Sequence, residues 1–594
     1  MQWPPPEPRS RRRRAAAVVG LALTLLLGAC ATVPTSGPVE EHDFRDEPAS
    51  SSVLVAPVPP APGASPTLVV EGFLHAMSTD QADFAVARQY LTDAAASTWD
   101  PGAGTTVYAD GTPPRETENS VVLSVPIVGT LSARGEFREA TGRLSQDFKL
   151  VKGGDEQWRI SQPPEGLLIS RYDLANNYTA VDLHFLDITG TALVPDRRYF
   201  PLNSSLLKNI AKAQLAIPSW WLARAVRPVV TGRIAVESVE ASQQGVAQVV
   251  LSSNALVLTN EQRHTLLAEL TWTLTQPALA ELMGVQVMAG VTPLTAPNVS
   301  GGVLTTRTFS ELAPVDSRYP SRLFALSHGK VLDVTDSTNW TQATQVAPAV
   351  ADAGSLAVRA DLQQLAFVNA EGTRLSATTL SGTAVTTVLE GKKLLRPAYS
   401  RQQELWAIED GAKASGFRVF GGTANAEIPF AAESMPDKER VIAFRISPDG
   451  SRMALVVRGK DADQVGKDAD QVGIARIVRA GGRVSLQEFR PVSVITPPEA
   501  GMKLVDVGWA TPTQLFVLVS HADADKSVSV FRVEQDSSTV DEVGPNGVAG
   551  LRELAAAPGE PPVVHNDDLV FRYESDFNWK VVPATAVTGV AYSG

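Results

Sequence analysis

Hydrophobic residues along the first part of this chain follow helical spacing and then strand spacing. After Ser65, which is suited to cap a helix, and a proline at the first helical turn, apolar residues recur at helical intervals from Val69 to Met77. A second amphipathic segment spans 84–91, and alternating apolar residues typical of strands follow as far as Ile160. The pattern predicts a small α+β domain over residues 66–175.

The next stretch repeats this mixture of helix and strands. Apolar and polar residues alternate over 180–186, which predicts a strand that leads into a hairpin turn. Further along the chain, Thr259 and Gln262 have capping-box spacing before a helix whose inner face carries leucines. Strands at 247–251 and 285–289 flank that helix. We expect a second α+β domain over residues 178–305.

Beyond residue 310 helical periodicity gives way to a recurring unit, a polar turn followed by a short apolar strand. The spacing of the copies matches a four-stranded propeller blade with variable loops. The copies begin at Asp361, Ser400, Ser447 and Ala510, with a degenerate fifth at Ala557. They predict a β-propeller of five to seven blades over residues 310–594, with a β-sandwich as the alternative. The expected fold is therefore multidomain, with two α+β domains followed by an all-β propeller.

The amino terminus carries the features of a bacterial lipoprotein signal. Basic residues including Arg11–Arg14 precede an apolar run, Ala15–Leu27, that is of secretory-signal length and short for a membrane span. The run ends in Leu27-Gly28-Ala29-Cys30, which matches a lipobox. We expect residues 1–29 to be removed as a signal peptide and Cys30 to be lipidated with diacylglycerol and palmitate. An ordinary secretory signal with Cys30 as a leftover thiol is the alternative, and general secretion is favoured over a twin-arginine route.

Composition extends this interpretation. Residues 30–65 are rich in proline, serine and alanine without apolar periodicity, so they are expected to form a flexible tether. Loss of the signal peptide takes the net charge from −12 to −16. Because so acidic a body repels polyanions, no binding to nucleic acid is expected. Cys30 is the only cysteine, so disulfides and thiolate metal sites are excluded.

Motifs for catalysis, metals and cofactors are absent from the sequence. The seven histidines have no zinc-ligand spacing, and no nucleophile elbow, phosphate-binding loop or dinucleotide fingerprint occurs. The motif His521-Ala-Asp-Ala-Asp is interpreted as a turn between blades. We therefore expect no enzyme activity, no catalytic residue, no metal and no cofactor. A glycosidase built from carboxylates on separate blades is not excluded by sequence.

Two further features fall outside these classes. The heptad Lys460–Gly466 is repeated at once as Lys467–Gly473, which predicts an exposed loop rather than a calcium site. Among the tryptophans, Trp272 lies on the amphipathic helix and is expected in the core. The pair Trp220-Trp221 lies in a less regular stretch and is either core or a contact site for a partner.

Several short stretches add to the order of these parts. They are Val33–Pro38, Ala87–Thr92 with Trp99–Pro101, Gln157–Ile160, Leu193–Arg197 and Thr271–Leu274. Together they resemble the actinobacterial LpqB lipoprotein family, which combines a lipobox, an α+β domain, a GerMN domain and a C-terminal propeller. The resemblance covers nearly the whole mature chain. It identifies residues 178–305 as GerMN-like.

The resemblance implies a function as well as a fold. It implies a lipid-anchored protein on the extracytoplasmic face of the cell membrane that binds an MtrB-like sensor histidine kinase through the kinase's extracytoplasmic domain. Through that contact it would modulate the MtrAB two-component system, which controls cell-wall homeostasis and cell division. The one functional residue that the resemblance transfers is Cys30. The alternative is a propeller that binds or hydrolyses cell-wall glycan.

Overall fold

The structure is a computed structural model, and only part of the chain is described in it. The described residues are 56–594 except 80–81, 119, 230–232, 280, 316–317, 348–349, 383, 423, 436–439, 459–469, 495–501 and 522–528. Cys30, the signal segment 1–29, most of the tether 30–65 and most of the duplicated heptads lie outside the described residues. The corresponding interpretations stay predictions.

The first region is an α+β fold in which one helix packs on a sheet. Its helices are α1 Pro66–Ser78, α2 Ala85–Arg88, α3 Asp93–Thr98 and α4 Arg171–Asn177. Its strands are β1 Thr105–Tyr108, β2 Arg115–Glu116, β3 Ser120–Leu131, β4 Phe137–Glu139, β5 Arg143–Lys152, β6 Trp158–Gln162 and β7 Leu167–Ser170. The main sheet has the order β6-β5-β3-β1-β7. Ser65 caps α1 as predicted, and Val70, Phe73 and Met77 are buried.

The second amphipathic segment, at 84–91, is less helical than its spacing predicts. Asp83 and Phe84 have left-handed backbone angles, so α2 begins only at Ala85. The helix ends at Arg88, and Leu91 pairs with Ile160 of β6 as an isolated bridge. The apolar residues of the segment therefore reach the core from an extended turn as well as from a helix.

The second region is also α+β, with its helices packed against two separate sheets. Its elements are β8 Tyr178–Leu186, β9 Leu193–Pro201, α5 Leu206–Gln214, β10 Val236–Ala241, β11 Val246–Leu251, α6 Asn260–Leu274, β12 Gly284–Ala289 and β13 Thr292–Pro293. Strands β11 and β12 are parallel, and α6 lies between them along the chain. The capping box of Thr259 and Gln262 is confirmed, and Leu267, Leu270 and Leu274 are fully buried. Helix α5 is an element that the sequence analysis missed.

The third region is built of strands among its described residues, apart from short 3-10 helices such as Trp340–Gln342 and Ala414–Gly416. Its strands are β14 Leu323–Ser327, β15 Lys330–Asp333, β16 Thr344–Gln345, β17 Ala353–Val358, β18 Gln364–Asn369, β19 Arg374–Thr379, β20 Thr386–Glu390, β21 Ala398–Tyr399, β22 Leu405–Ala407, β23 Arg418–Gly421, β24 Ala426–Ile428, β25 Phe430–Glu433, β26 Arg440–Ile446, β27 Arg452–Arg458, β28 Gln471–Ala480, β29 Arg483–Val492, β30 Met502–Thr511, β31 Gln514–His521, β32 Ser529–Glu534, β33 Val540–Gly544, β34 Glu553–Ala555, β35 Val563–His565, β36 Val570–Ser575, β37 Asn578–Val582 and β38 Val587–Tyr592.

These strands form six sheets in the described part of the chain, each the blade of a propeller. Blade one has the order β16-β15-β14-β38, so the last strand of the chain completes the first blade. Blades two, three, five and six are β17–β20, β21–β24, β30–β33 and β34–β37, and blade four has five strands, β25–β29. The predicted fold class, two α+β regions followed by an all-β propeller, is confirmed, and the blade count falls within the predicted range.

The repeated turns of the sequence all occupy the same place in the propeller. Each connects the innermost strand of a blade to the next strand outward, as at 359–363 in blade two and 447–451 in blade four. We call the surface that carries them the inner-turn face. The sequence carries only five copies of the turn because blade one lacks it. In that blade the innermost strand β38 and its neighbour β14 lie at opposite ends of the domain.

One hydrophobic core joins the second α+β region to the propeller. Buried residues of α6 and β11 lie in the same cluster as residues of blades four and five, such as Val456, Val472 and Val517. Residues 55–594 accordingly form one compact unit.

Candidate functional site

The predicted lipidation site, Cys30, lies outside the described residues, so the structure offers no geometry for it. Within the described part of the chain, no helix has the length and apolar character needed to cross a bilayer. Candidate sites among the described residues lie at the joint between the second region and the propeller and near the propeller axis.

The joint is built around the turn Ser447–Arg452, which sequence suggested as an ordinary blade turn. Asp449 and Arg452 are both fully buried there and form an ion pair. The Arg452 guanidinium also donates to Pro195 O at 3.3 Å in β9 and to Gln535 Oε1 at 2.9 Å in blade five. This turn therefore fastens the second α+β region to the propeller.

A second ionic contact lies beside the first. Arg197 of β9 donates to Asp182 Oδ1 at 2.6 Å and lies 3.4 Å from Glu534 Oε2 of blade five. Burial raises the pKa of Glu534 to about 7, although Arg197 opposes that rise. Arg401 of blade three reaches three backbone carbonyls, among them Thr191 O at 2.9 Å. These polar contacts hold the second α+β region against the propeller.

Of the pair Trp220-Trp221, one tryptophan lies in the core and the other is exposed. Trp221 is 4% exposed, and its carbonyl accepts a hydrogen bond from Arg476 of blade four. Trp220 is 56% exposed, and the Arg138 guanidinium of β4 lies 5.8 Å from its ring centre. Ile217, in the same loop, is 60% exposed. We call Arg138, Ile217 and Trp220 the junction patch, because they lie where the first and second regions meet. Trp272 packs against the core, as predicted.

A polar cluster from blades three to six lies near the axis of the propeller. Asp506 accepts hydrogen bonds from Arg396 at 3.0 Å and from Arg445 at 3.1 Å to each oxygen. Arg396 also lies 2.6 Å from Glu553, which is bonded in turn to His565 at 3.1 Å. Burial raises the pKa of Asp506 to about 6 against the influence of Arg396. Burial would raise the pKa of Glu553 too, but Arg396 and His565 outweigh it and hold that pKa below its usual value.

This axial cluster separates two cavities, and Arg396 and Arg445 line both of them. One cavity, of about 340 Å³, is lined by residues early in the innermost strands. The other, of about 300 Å³, opens on the inner-turn face, and we call it the mouth cavity. Every blade contributes to its wall, through residues that include Tyr592, Arg359, Tyr399, Arg445, Trp509 and Pro558.

The mouth cavity is rich in arginine and poor in carboxylates. Arg318, Arg359, Arg396, Arg401 and Arg445 all line it, whereas Asp361 is the single carboxylate side chain among its described lining residues. Arg359 donates to Asp361 Oδ1 at 2.8 Å. Partial burial would raise the pKa of Asp361, but the bonds from Arg359 and the Gln363 amide keep it below its usual value. Such a site favours binding of an anion over proton transfer.

Sequence reasoning missed the mouth arginines. Arg396 and Arg445 lie in or beside innermost strands just before repeated turns, and Arg359 opens such a turn, so the repeat register was the signal that could have found them. Within the described ranges, no three histidine, cysteine, aspartate or glutamate side chains lie together as a metal site would require.

Comparison with known proteins places the three regions in a family. The model described as the LpqB N-terminal domain matches residues 59–175, and the model of the LpqB β-propeller domain matches residues 321–591. Residues 182–289 match the Germane model, described as sporulation and spore germination. Among solved structures, the nidogen/laminin complex covers 46% of this chain and 99% of its own at 10% identity, but its TM-score of 0.34 is too low to carry an argument.

Full-length relatives agree with the domain matches. Lipoprotein LpqB of Cutibacterium acnes is 28% identical over 96% of this chain and 98% of its own length. Lipoprotein LpqB of Streptomyces coelicolor is 27% identical over 96% of both chains, and that of Mycobacterium tuberculosis is 26% identical over 96% of this chain and 98% of its own. Since the two LpqB models together match more than half of the chain and the relatives align along nearly all of it, this protein belongs to the LpqB lipoprotein family.

Proposed function

We propose that this protein is a non-enzymatic binding protein, anchored through lipid on Cys30 to the extracytoplasmic face of the cell membrane. Its partner would be the extracytoplasmic domain of an MtrB-like sensor histidine kinase, so that it modulates MtrAB signalling in cell-wall homeostasis and division. Membership of a family named as lipoproteins supports the anchor. The arginine-rich mouth and its single carboxylate side chain favour binding over glycan hydrolysis, which needs two carboxyl groups.

The observation that carries the binding proposal is the junction patch. A buried tryptophan, Trp221, fixes the loop to the propeller, while its neighbour Trp220 faces solvent with Arg138 beside its ring. Tryptophan and arginine are the residues most often found at the energetic centre of protein interfaces. Because the loop is fixed at Trp221, little conformational entropy is lost when a partner covers Trp220.

Lipid anchoring would supply the second part of the mechanism. Two or three acyl chains hold a protein stably on a membrane, where one does not. Confinement to the plane of the membrane raises the effective concentration of this protein near the kinase. A coupling of about 1–3 kcal/mol between binding and one kinase state is then enough to shift signalling without any chemical step.

Direct binding tests the partner. The full-length chain, purified in detergent, is titrated onto the immobilised extracytoplasmic domain of the kinase. Trp220→Ala should raise the Kd by about thirtyfold, the scale of an interface hot spot. Tyr172→Ala is the matched control, because Tyr172 is a 67% exposed aromatic residue on α4, in the first region. Absence of binding, or equal losses in both variants, would contradict the proposal, and retention on purified peptidoglycan instead would favour the glycan-binding alternative.

Replacement of the lipidated residue tests the anchor. Cys30→Ala should move the protein from the membrane fraction to the medium and weaken its effect on kinase output. Mass spectrometry of native protein should find acyl groups on the Cys30 sulfur. Full signalling by the released protein would show that membrane confinement has no role.

A further inference from the structure

We propose that the mouth cavity is a binding site for a small anionic ligand that carries a carboxylate or phosphate group. The charge of the cavity contrasts with that of the whole protein. Five arginines line it, against Asp361 in the wall and Asp506 and Glu553 behind Arg396 and Arg445. Positive side chains therefore outnumber negative ones by two there, in a chain whose net charge is −12. Such a local reversal of charge concentrates anions at the mouth and is not needed for solubility.

The guanidinium groups at the base of the mouth are held in place before any ligand arrives. Asp506 and Glu553 fix Arg396 from below, and Asp506 fixes Arg445 with both oxygens. Arg396 uses its four Nη–H donors on Asp506, Glu553 and the Val590 and Leu554 carbonyls. Arg359, in contrast, donates to Asp361 from Nε and keeps the Nη side of its rigid five-donor fork for a ligand. Arginine is well suited to planar carboxylates and to phosphates for this reason, and fixed side chains lose little entropy on binding.

A buried hydroxyl group points independently to a ligand. Tyr399 lines the mouth and is 3% exposed, yet its hydroxyl has no hydrogen-bond partner among the described atoms. Burial raises the pKa of this hydroxyl, so it stays protonated and remains a donor. An unpaired buried donor is costly to the fold, and an anionic oxygen in the cavity would satisfy it.

Cavity size and aromatic walls limit the rest of the ligand. A volume of about 300 Å³ lies at the lower end of the range for small-molecule sites, so the ligand is compact. Trp509 and Tyr592 supply aromatic surface beside the arginines. The site therefore fits a monosaccharide-sized molecule with one acidic group rather than a polymer strand.

Calorimetric titration of the full-length protein in detergent tests this proposal. The probes are inorganic phosphate, glycerol 3-phosphate and N-acetylmuramic acid, with glycerol and N-acetylglucosamine as neutral counterparts. Binding of at least one acidic probe, but of neither neutral counterpart, is expected, and it should weaken as salt rises. Preference between phosphate and carboxylate probes identifies the acidic group. Equal binding of acidic and neutral counterparts, or binding of none, would overturn the proposal.

Two variants connect the ligand to the cavity. Tyr399→Phe removes a hydroxyl without a protein partner, so it should leave the thermal midpoint of the free protein unchanged or higher while lowering affinity about tenfold. Arg359→Gln should lower affinity by about tenfold or more. Arg374→Gln is the matched control, because Arg374 also pairs with an aspartate in blade two but lies on β19, away from the mouth.

The control should bind as the unmodified protein does. If Tyr399→Phe and Arg359→Gln both retain full affinity, the ligand site lies elsewhere and the proposal is wrong. Because no kinase is present in these titrations, their outcome is separate from that of the proposed partner.

Discussion

The buried ion pair at the joint between the second region and the propeller gives the sharpest test of the structure. We consider Arg452→Met, which keeps much of the side-chain volume but removes the guanidinium. Asp449 would then be left fully buried without its cationic partner, and Gln535 and the Pro195 carbonyl would each lose a donor. Removing one member of a buried pair typically costs about 3–5 kcal/mol, and we expect a loss in this range.

An exposed pair of the same chemistry provides the control. Arg374 and Asp352 also form an ion pair, but each side chain is 45% exposed. Arg374→Met should therefore cost less than about 1 kcal/mol. Urea unfolding followed by tryptophan fluorescence measures both variants, since Trp509 lies 5.5 Å from the Arg452 guanidinium and reports on the joint.

The pH dependence of the difference in unfolding free energy between the unmodified protein and Arg452→Met isolates the contribution of the Asp449 carboxylate. Burial would raise the pKa of Asp449, but Arg452 and Ser451 outweigh it and keep that pKa below its usual value. In the unmodified protein the stability contributed by ionised Asp449 is fully present above the unfolded pKa. That stability is lost as pH falls through the lower folded pKa. In Arg452→Met the Ser451 hydrogen bonds still oppose burial but the guanidinium no longer does, so the pKa of Asp449 rises and the variant gains stability as pH falls through that raised pKa. The difference in unfolding free energy should therefore narrow from pH of about 7.5 to about 5. A loss below about 1 kcal/mol at neutral pH, or one equal to that of the control, would refute a buried ionic joint.

Three further outcomes follow from the described contacts. Trp221→Ala should lower the unfolding free energy by about 3–5 kcal/mol and Trp220→Ala by less than about 1 kcal/mol in the same urea assay, because only Trp221 is buried. Burial raises the pKa of Glu269 to about 8, so the stability of the unmodified protein should fall as pH rises from about 4.5 to about 8, and Glu269→Gln should reduce that fall in thermal scans, leaving the parts that Glu534 and Asp506 contribute. Deletion of the heptad 460–466, which lies between the paired strands β27 and β28, should change the unfolding free energy by less than about 1 kcal/mol, measured by urea denaturation.

Much of the fold could be predicted because its signals are local. Helix α6 is marked by a capping box and by leucines on one face, both within the sixteen residues Thr259–Leu274. The propeller is marked by turns that recur at blade spacing, and each copy is evidence for the others. Helix α5 was missed because its buried positions, Ile210, Ala211 and Gln214, include a polar residue that bonds to His184 across the core.

The joint and the mouth depend instead on contacts between distant parts of the chain. Asp449 and Arg452 have the composition of an exposed turn, and it is β9 together with Gln535 and Trp509 of blade five that covers them. In the same way Arg396, Asp506 and Glu553 come from three blades, and their spacing in sequence reflects loop lengths rather than chemistry. A single sequence contains these charged residues but does not show which of them come together in the fold.

The inner-turn face explains why one surface can combine a structural and a binding role. Loops at the ends of a rigid scaffold are where proteins usually place recognition residues. In this propeller the turns of blades four and five are occupied by the second α+β region, through Arg452 and Thr513. The turns of blades two and six remain at the mouth, where Arg359 and Pro558 line the cavity. The turn of blade three takes part in both the joint and the mouth through Arg401, which lines the mouth and donates to Thr191 O. A substitution at Arg359 can therefore change what the mouth binds without disturbing the joint, whereas the turn at Arg452 is constrained by the partner region that it holds.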